Sequence, residues 1–145
     1  MNNGPILICY DGSKEADAAI AVAGRLLLSR SVVVLDVAPL MIAEGWAAAS
    51  SEAPFVDRLA VDNAHARATA GTELAWQVGF EAEPRVDSAI DTWRGVVEVA
   101  DEIDAAAIVI GSRGLTGLRA LLEGSVSRQV EAHTRRPVLV VPATA

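Results

Sequence analysis

Short apolar runs alternate along this chain with longer segments in which apolar residues recur every three or four positions. The short runs predict five β-strands, at residues 5–10, 31–38, 82–88, 106–110 and 137–141. The longer segments predict four helices, one that begins after Ser13 and three that cover residues 55–78, 91–103 and about 125–134. This alternation predicts one α/β domain over residues 1–145, with a parallel sheet and helices packed on both of its faces.

Local features add detail to this outline. Pro84 lacks an amide donor, so the third strand is predicted to lie at a sheet edge or to begin there. Residues 39–54 have no clear period and are predicted to form a loop, in which Trp46 is better explained as a hydrophobic anchor than as a ligand cover. The helical pattern at 55–78 places the following residues roughly on one side: Val56, Leu59, Ala60, Asn63, Ala70, Leu74 and Val78.

Composition and charge exclude several classes of protein. The net charge of −7 disfavours nucleic acid as a partner, because an acidic surface repels phosphate backbones. A single cysteine, Cys9, rules out an internal disulfide framework and is best explained as a small core residue. No apolar run approaches the roughly 18 residues of a membrane span, and the first residues lack the basic region of a signal peptide. We therefore expect a cytoplasmic protein without a membrane partner.

The strongest chemical signal is a glycine-rich segment that directly follows the predicted strand at 106–110. Gly111-Ser112-Arg113-Gly114 is followed by nine residues and then by Gly124-Ser125, where a helix is predicted to begin. Glycines permit positive φ angles and a close approach of a ligand to backbone amides, and a helix N-terminus favours an anion. Hydroxyls and cations near this segment add capacity to bind phosphate: Ser112, Ser125, Ser127, Arg113, Arg119 and Arg128.

The spacing of these glycines resembles the nucleotide-binding signature of the universal stress protein family, and all four fixed positions of that signature match. The segment ILICYDGS resembles the opening strand of the family, VVVLDVAP its second strand and RRPVLVVP its closing strand. The resemblance implies a five-stranded, parallel, doubly wound, Rossmann-like sheet in the order 3-2-1-4-5. It also implies that the ligand is an adenine nucleotide, with ATP as the leading candidate, bound with or without Mg²⁺.

The resemblance assigns roles to individual residues. Asp11 would lie near the ribose, the backbone of Val37 at the adenine edge, and Ile110 with Gly111 along the nucleoside. The residues that would hold the phosphates are Gly114, Gly124, Ser125, Val126 and Ser127, and the predicted site further includes Tyr10, Ser112 and Arg113. Tyr10 and Arg113 depart from what is usual in the family. Structural explanations remain open beside these roles, because Asp11 can serve as a turn or capping residue and the Val37 side chain as core.

Three functions compete for this sequence. The first is a nucleotide-binding stress protein that acts as a regulatory or protective module through two states of different ligand affinity. The second is an enzyme, either a slow ATPase or an adenine-nucleotide α-phosphate hydrolase or transferase. Against it, the chain has no P-loop lysine and no obvious base, and Asp11 is the one acidic residue expected near the ligand, where it could instead hold Mg²⁺. The third is an interaction module that binds no nucleotide.

The predicted sheet edges differ in their protection. In the order 3-2-1-4-5 the polar third strand lies at one edge and carries Pro84, Arg85 and Asp87. The last strand, Val138–Val141, lies at the other edge and is apolar and β-branched with no charge. An unprotected edge invites pairing with another chain. We therefore expect a homodimer formed through Val138–Val141 about a two-fold axis.

Overall fold

The computed structural model describes residues 2–27, 31–41, 55–112 and 126–142. The strands are β1 (Ile6–Cys9), β2 (Ser31–Met41), β3 (Phe55–Val56), β4 (Glu81–Ala89), β5 (Ala107–Gly111) and β6 (Val138–Val141). The helices are α1 (Lys14–Leu26), α2 (Arg58–Gln77), α3 (Thr92–Glu102) and α4 (Val126–His133). Trp46 and most of the predicted loop around it lie outside the described residues.

Five of these strands form a parallel sheet in the order β4-β2-β1-β5-β6. Counted along the chain as parallel strands, this order is 3-2-1-4-5, and the predicted fold is confirmed. In the register, Ile6 of β1 lies opposite Val32 of β2 on one side and Ala107 of β5 on the other. The sheet edge predicted from Pro84 is also found, since among the described strands β4 pairs with β2 alone.

The segment between β2 and α2 differs from the prediction. β2 continues to Met41, where it pairs antiparallel with the two residues of β3, so Pro39 is not the start of a loop and Phe55 is not helical. The helix begins at Arg58 because the Asp57 carboxylate accepts hydrogen bonds from the amides of Leu59 and Ala60. An aspartate at this position satisfies amides that the first helical turn would otherwise leave without acceptors.

Two hydrophobic cores enclose the sheet. Alternate residues of each strand point to opposite faces, so in β1 the side chains of Ile6 and Ile8 join one core and that of Leu7 joins the other. Helices α1 and α2 cover the first face, and α3 and α4 cover the second. The strands are therefore buried on both sides, as their continuous apolar sequences predict.

Helix α2 contacts the sheet through a face that the sequence did not indicate. Its buried residues are Ala64, Ala68, Gly71, Thr72 and Ala75, whereas Leu59 is 68% exposed. The prediction relied on the large apolar residues near the start of α2, but small residues form the contact between this helix and the sheet. At Gly71 an added Cβ would lie 2.8 Å from the ring of Tyr10, so the small residue allows helix and sheet to approach closely.

Within the parts of the chain that the structure describes, we find no helix with the length and apolar character needed to cross a membrane.

Candidate functional site

The carboxyl ends of the parallel strands β2, β1 and β5 all lie at the same end of the sheet. From β1 the chain passes first to β2 on one side and later to β5 on the other, so the direction of winding reverses between β1 and β5. In open parallel sheets this reversal leaves a crevice beyond the strand ends in which ligands bind. Predicted residues lie at three places around this crevice. Tyr10 and Asp11 directly follow β1, and Val37 lies on the part of β2 that continues past the end of β1. Ile110 and Gly111 end β5, and Ser112 follows them.

Asp11 and Gly12 form the turn that ends β1. The Asp11 carboxylate accepts a hydrogen bond from the amide of Ser13 at 3.0 Å, and Gly12 has a φ of +81° that suits glycine. The Ser13 hydroxyl then accepts from the amide of Ala16 at 3.1 Å and caps α1. Asp11 therefore stabilises the turn, as the sequence analysis allowed, and its Oδ1 atom is the acceptor of that hydrogen bond.

Val37 presents its backbone rather than its side chain to the crevice. The side chain is 7% exposed and lies against Gly95, where an added Cβ would come within 2.9 Å of it. The Leu35 carbonyl accepts from the amide of Tyr10 at 2.8 Å, one residue past Cys9, the last residue of β1 in the pairing with β2. Because backbone groups alternate with a period of two, the amide and carbonyl of Val37 point to the same side as those of Leu35, beyond the end of β1.

The position of the Tyr10 side chain was not predicted from the sequence. Its side chain is 7% exposed and belongs to the core beneath α1 and α2, not to the crevice. The hydroxyl donates to the Asp17 carboxylate at 2.6 Å, and burial together with that hydrogen bond raises the pKa of Tyr10 above its ordinary value. Contact of Tyr10 with a ligand stays a prediction, and it concerns the backbone groups of this residue.

The end of β5 lies against the first turn of α1. A Cβ added to Gly111 would lie 3.4 Å from the Glu15 carbonyl oxygen, so a side chain here would fit tightly. Positive φ, by contrast, is found among the described glycines at Gly12 and Gly79, and Gly111 remains in strand conformation. Gly111 therefore needs no positive φ, and the close approach of a ligand to its backbone stays a prediction. The neighbouring amide of Ser112 donates to the Val141 carbonyl at 2.9 Å and extends the pairing of β5 with β6.

The remaining predicted residues belong to the segment before α4 and to its first turn. Val126 opens the helix and packs against the core of the second face, while Ser127 is 6% exposed. Ile110 at the end of β5 is likewise buried, at 5% exposure. The other predicted phosphate contacts lie outside the described residues: Arg113, Gly114, Gly124 and Ser125.

An ion pair between a buried carboxylate and a partly exposed arginine lies beside the crevice and was not predicted. Arg67 of α2 donates from Nε to Oδ2 of Asp36 at 2.6 Å and from Nη2 to Oδ1 at 3.3 Å. The Asp36 side chain is 4% exposed and that of Arg67 is 38% exposed. The hydrogen bond to Asp36 and, to a smaller extent, the charge of Asp11 raise the pKa of the Arg67 guanidinium.

One signal for this pair was present in the sequence. Asp36 interrupts the otherwise apolar run of β2, and a carboxylate buried in a strand needs a cation or several donors. Arg67 gave no such signal, because a lone arginine on an amphipathic helix is indistinguishable from a solvated one. The stem of Arg67 packs beside the turn, since a Cβ on Gly12 would lie 3.0 Å from its Cδ.

Comparison with known proteins gives a consistent result. The model of the family described as the universal stress protein family matches residues 2–142. A universal stress protein of Mycobacterium tuberculosis is 30% identical over 139 residues, which are 94% of this chain and 44% of that protein. The chain thus spans less than half the length of that relative. The stress response protein NhaX of Bacillus subtilis is 30% identical over 146 residues, with 94% of this chain and 87% of NhaX covered.

Solved structures share the fold. The universal stress protein from Archaeoglobus fulgidus in complex with dAMP superposes with a TM-score of 0.67 at 25% identity, over 97% of this chain and 99% of that one. A universal stress protein family protein from Arabidopsis thaliana with AMP bound gives a TM-score of 0.66 at 13% identity, over 98% and 93% of the two chains.

Proposed function

The chain belongs to the universal stress protein family, and from that premise we propose that it binds an adenine nucleotide, ATP first, and acts as a ligand-dependent regulatory or protective protein in the cytoplasm. The observation that carries the proposal is the crevice at the ends of β2, β1 and β5, where the backbone edge of Val37 extends past the end of β1. The complete glycine signature begins at Gly111, the last residue of β5.

The backbone of Val37 suits adenine chemically. An amide and a carbonyl that point to the same side of a strand offer one donor and one acceptor side by side. Adenine presents a ring nitrogen that accepts and an amino group that donates, which is the complementary pair. Two relatives were solved with dAMP and with AMP, and these two ligands share the adenine base and differ in the sugar. This agrees with recognition of the base by strand backbone.

The phosphates would be bound on the β5 side of the crevice. Gly111 ends that strand, Ser112 follows it, and Val126 and Ser127 are the first residues given for α4. The first amides of a helix lack acceptors within the helix, and its positive end favours an anion. Between these two pairs the sequence supplies Arg113, Gly114, Gly124 and Ser125, whose backbone and hydroxyl groups we propose as further phosphate contacts.

We propose that turnover of the nucleotide is negligible. A hydrolase needs a residue that orients the attacking water. Near the crevice, the Asp11 carboxylate accepts from the Ser13 amide and the Asp36 carboxylate is held by Arg67. Mg²⁺ bound with ATP would use an oxygen ligand such as the Asp11 carboxylate. A carboxylate used in this way binds the metal ion and does not act as a base that activates water.

We further propose a homodimer formed through β6. Among the described strands β6 pairs with β5 alone, and Val138, Leu139 and Val140 are half-buried. The opposite edge at β4 carries Arg85, which is paired with Glu102 at 2.7 Å. Pairing β6 with its own copy would satisfy the open edge and cover its apolar residues.

The experiment that tests the proposal is native mass spectrometry of the purified protein, with Gly124→Val as the matched control. We expect a bound mass equal to ATP in the native protein, and its loss in the variant because a side chain there would occupy the phosphate volume. Bound ADP or AMP in place of ATP would favour the slow hydrolase. A native protein that carries no nucleotide and takes up none on addition would contradict the proposal and favour a pure interaction module.

A further inference from the structure

Part of the Arg67 guanidinium faces away from its carboxylate partner. The Nε and Nη2 atoms are hydrogen-bonded to Asp36, side by side. Within the described part of the chain, the hydrogen bonds of the Arg67 side chain are these two, neither of them from Nη1, and the side chain is 38% exposed. A guanidinium carries five N–H donors in a fixed plane, so the buried pair holds the two Nη1 donors in a defined direction.

The location of Arg67 relates it to one end of the crevice. Asp36 directly precedes Val37 on β2, and the Arg67 stem lies beside Gly12 at the end of β1. The segment that follows β5 begins on the other side of β1, two strand spacings from β2. Neighbouring strands are about 4.8 Å apart, so the two ends of the crevice are separated by roughly 10 Å. Arg67 therefore belongs to the β2 end, opposite to the phosphate end.

We propose that Arg67 is a nucleoside-recognition residue, whose Nη1 group donates to an uncharged acceptor of the ligand, a purine ring nitrogen or a ribose oxygen. Asp36 is then a positioning residue, which fixes the guanidinium without touching the ligand. This inference rests on the proposed nucleotide binding and adds to it a recognition element from α2.

The charge of the pair argues for an uncharged acceptor. The Asp36 carboxylate lies 2.6 Å from Nε and compensates the positive charge of the guanidinium. Asp11, whose charge also acts on Arg67, adds further negative potential at this end. Such a cation attracts a distant phosphate weakly, yet its N–H groups remain good directional donors. The arrangement therefore suits a hydrogen bond to the nucleoside better than a salt bridge to phosphate.

The test compares adenosine, AMP and ATP as ligands of the nucleotide-free protein by titration calorimetry. The variant is Arg67→Lys, which keeps a cation for Asp36 but lacks the planar Nη1 group. The matched control is Arg85→Lys, since Arg85 is also paired with a carboxylate, Glu102 at 2.7 Å, but lies in mid-strand on β4. We expect Arg67→Lys to weaken all three ligands by the same factor, about fivefold to tenfold for one hydrogen bond, and Arg85→Lys to leave them unchanged.

Two further measurements identify the acceptor atom of the ligand and test the role of Asp36. If the acceptor is the ribose 2′-oxygen, the effect of Arg67→Lys disappears with 2′-deoxyadenosine; if it is a ring nitrogen, the effect persists. If Asp36 acts by positioning Arg67, we expect Asp36→Asn alone to weaken adenosine binding. When it is combined with Arg67→Lys, we expect it to cause no further loss of affinity. A merely structural role of Asp36 would weaken binding equally in both backgrounds. If Arg67→Lys does not fold, Asp36→Asn alone must weaken adenosine and ATP by equal factors.

The outcomes separate this inference from the proposed function. Unchanged adenosine affinity in Arg67→Lys, or a loss that grows with the number of phosphates, overturns the nucleoside role while nucleotide binding stands. A native protein that binds none of the three ligands overturns the proposed function, and the inference with it.

Discussion

The ion pair between Asp36 and Arg67 should respond unequally to removal of its two members. Asp36 is buried, with 4% of its side chain exposed, whereas Arg67 is 38% exposed. Loss of the carboxylate leaves an arginine that can turn toward water. Loss of the guanidinium leaves a negative charge deep in the structure without the cation that lies 2.6 Å from it. We therefore expect Arg67→Gln to destabilise the fold more than Asp36→Asn does.

The magnitudes follow from the burial of each partner. Breaking a buried ion pair so that one charge stays buried costs about 3–5 kcal/mol. Water reaches the partly exposed arginine and screens the pair, so we expect about 2–3 kcal/mol for Arg67→Gln at neutral pH. Asparagine keeps the volume of Asp36, and the released arginine becomes solvated, so Asp36→Asn should cost about 1 kcal/mol, the value of a typical hydrogen bond.

Urea unfolding monitored by circular dichroism measures both effects as shifts of the midpoint at constant slope. The double variant completes a thermodynamic cycle and should be more stable than Arg67→Gln alone, because it no longer buries the charge. Equal costs for the two single variants, or a larger cost for Asp36→Asn, would refute the claim that burial of the carboxylate dominates this pair.

Three further predictions concern the core and the sheet edge. Desolvation of Cys9, which is partly buried against the second core, and to a smaller extent the charge of Asp11 raise the pKa of its thiol to about 12, above the ordinary value near 9. The contribution of this thiol to the free energy of unfolding should therefore be fully present below pH 9 and be lost as the pH rises from 9 toward 12. Urea midpoints should fall less over this range in Cys9→Ala than in the native protein. Gly71→Ala places a Cβ 2.8 Å from the Tyr10 ring, so overpacking of about 1–3 kcal/mol should exceed the helix-propensity gain of about 1 kcal/mol and lower the Tm; a Tm at or above the native value would contradict this packing. Light scattering should give twice the 15.1 kDa chain mass, and Val140→Lys should shift it toward one chain mass; a native monomer would refute pairing through β6.

The sequence predicted the architecture because that information is local and repeated. Each parallel strand is buried on both faces and reads as a continuous apolar run, and each crossover carries a helical period. Pro84 was sufficient to predict the edge strand because a missing amide donor has one consequence in a sheet. The strand order came from the family resemblance, and the structure has the same order.

Features that depend on distance and shape were not predictable in this way. The buried face of α2 is made of small residues, and their importance becomes visible when Gly71 is seen against the Tyr10 ring. The side chain of Tyr10, a residue included in the predicted site, follows the strand alternation into the core. The partner of Asp36 is 31 positions away on another element, and no local pattern connects the two residues.

Titration calorimetry of the nucleotide-free protein with Mg-ATP is the decisive test of nucleotide binding. We expect a saturable, one-to-one heat of binding, together with a stabilisation of roughly 2.7 kcal/mol at a hundredfold excess over Kd, seen as a Tm shift of several degrees. Gly114→Val, in the glycine signature, should abolish both signals while the far-ultraviolet circular dichroism spectrum stays that of the native protein. No binding heat and no Tm shift with ATP or AMP at millimolar concentration would contradict the account.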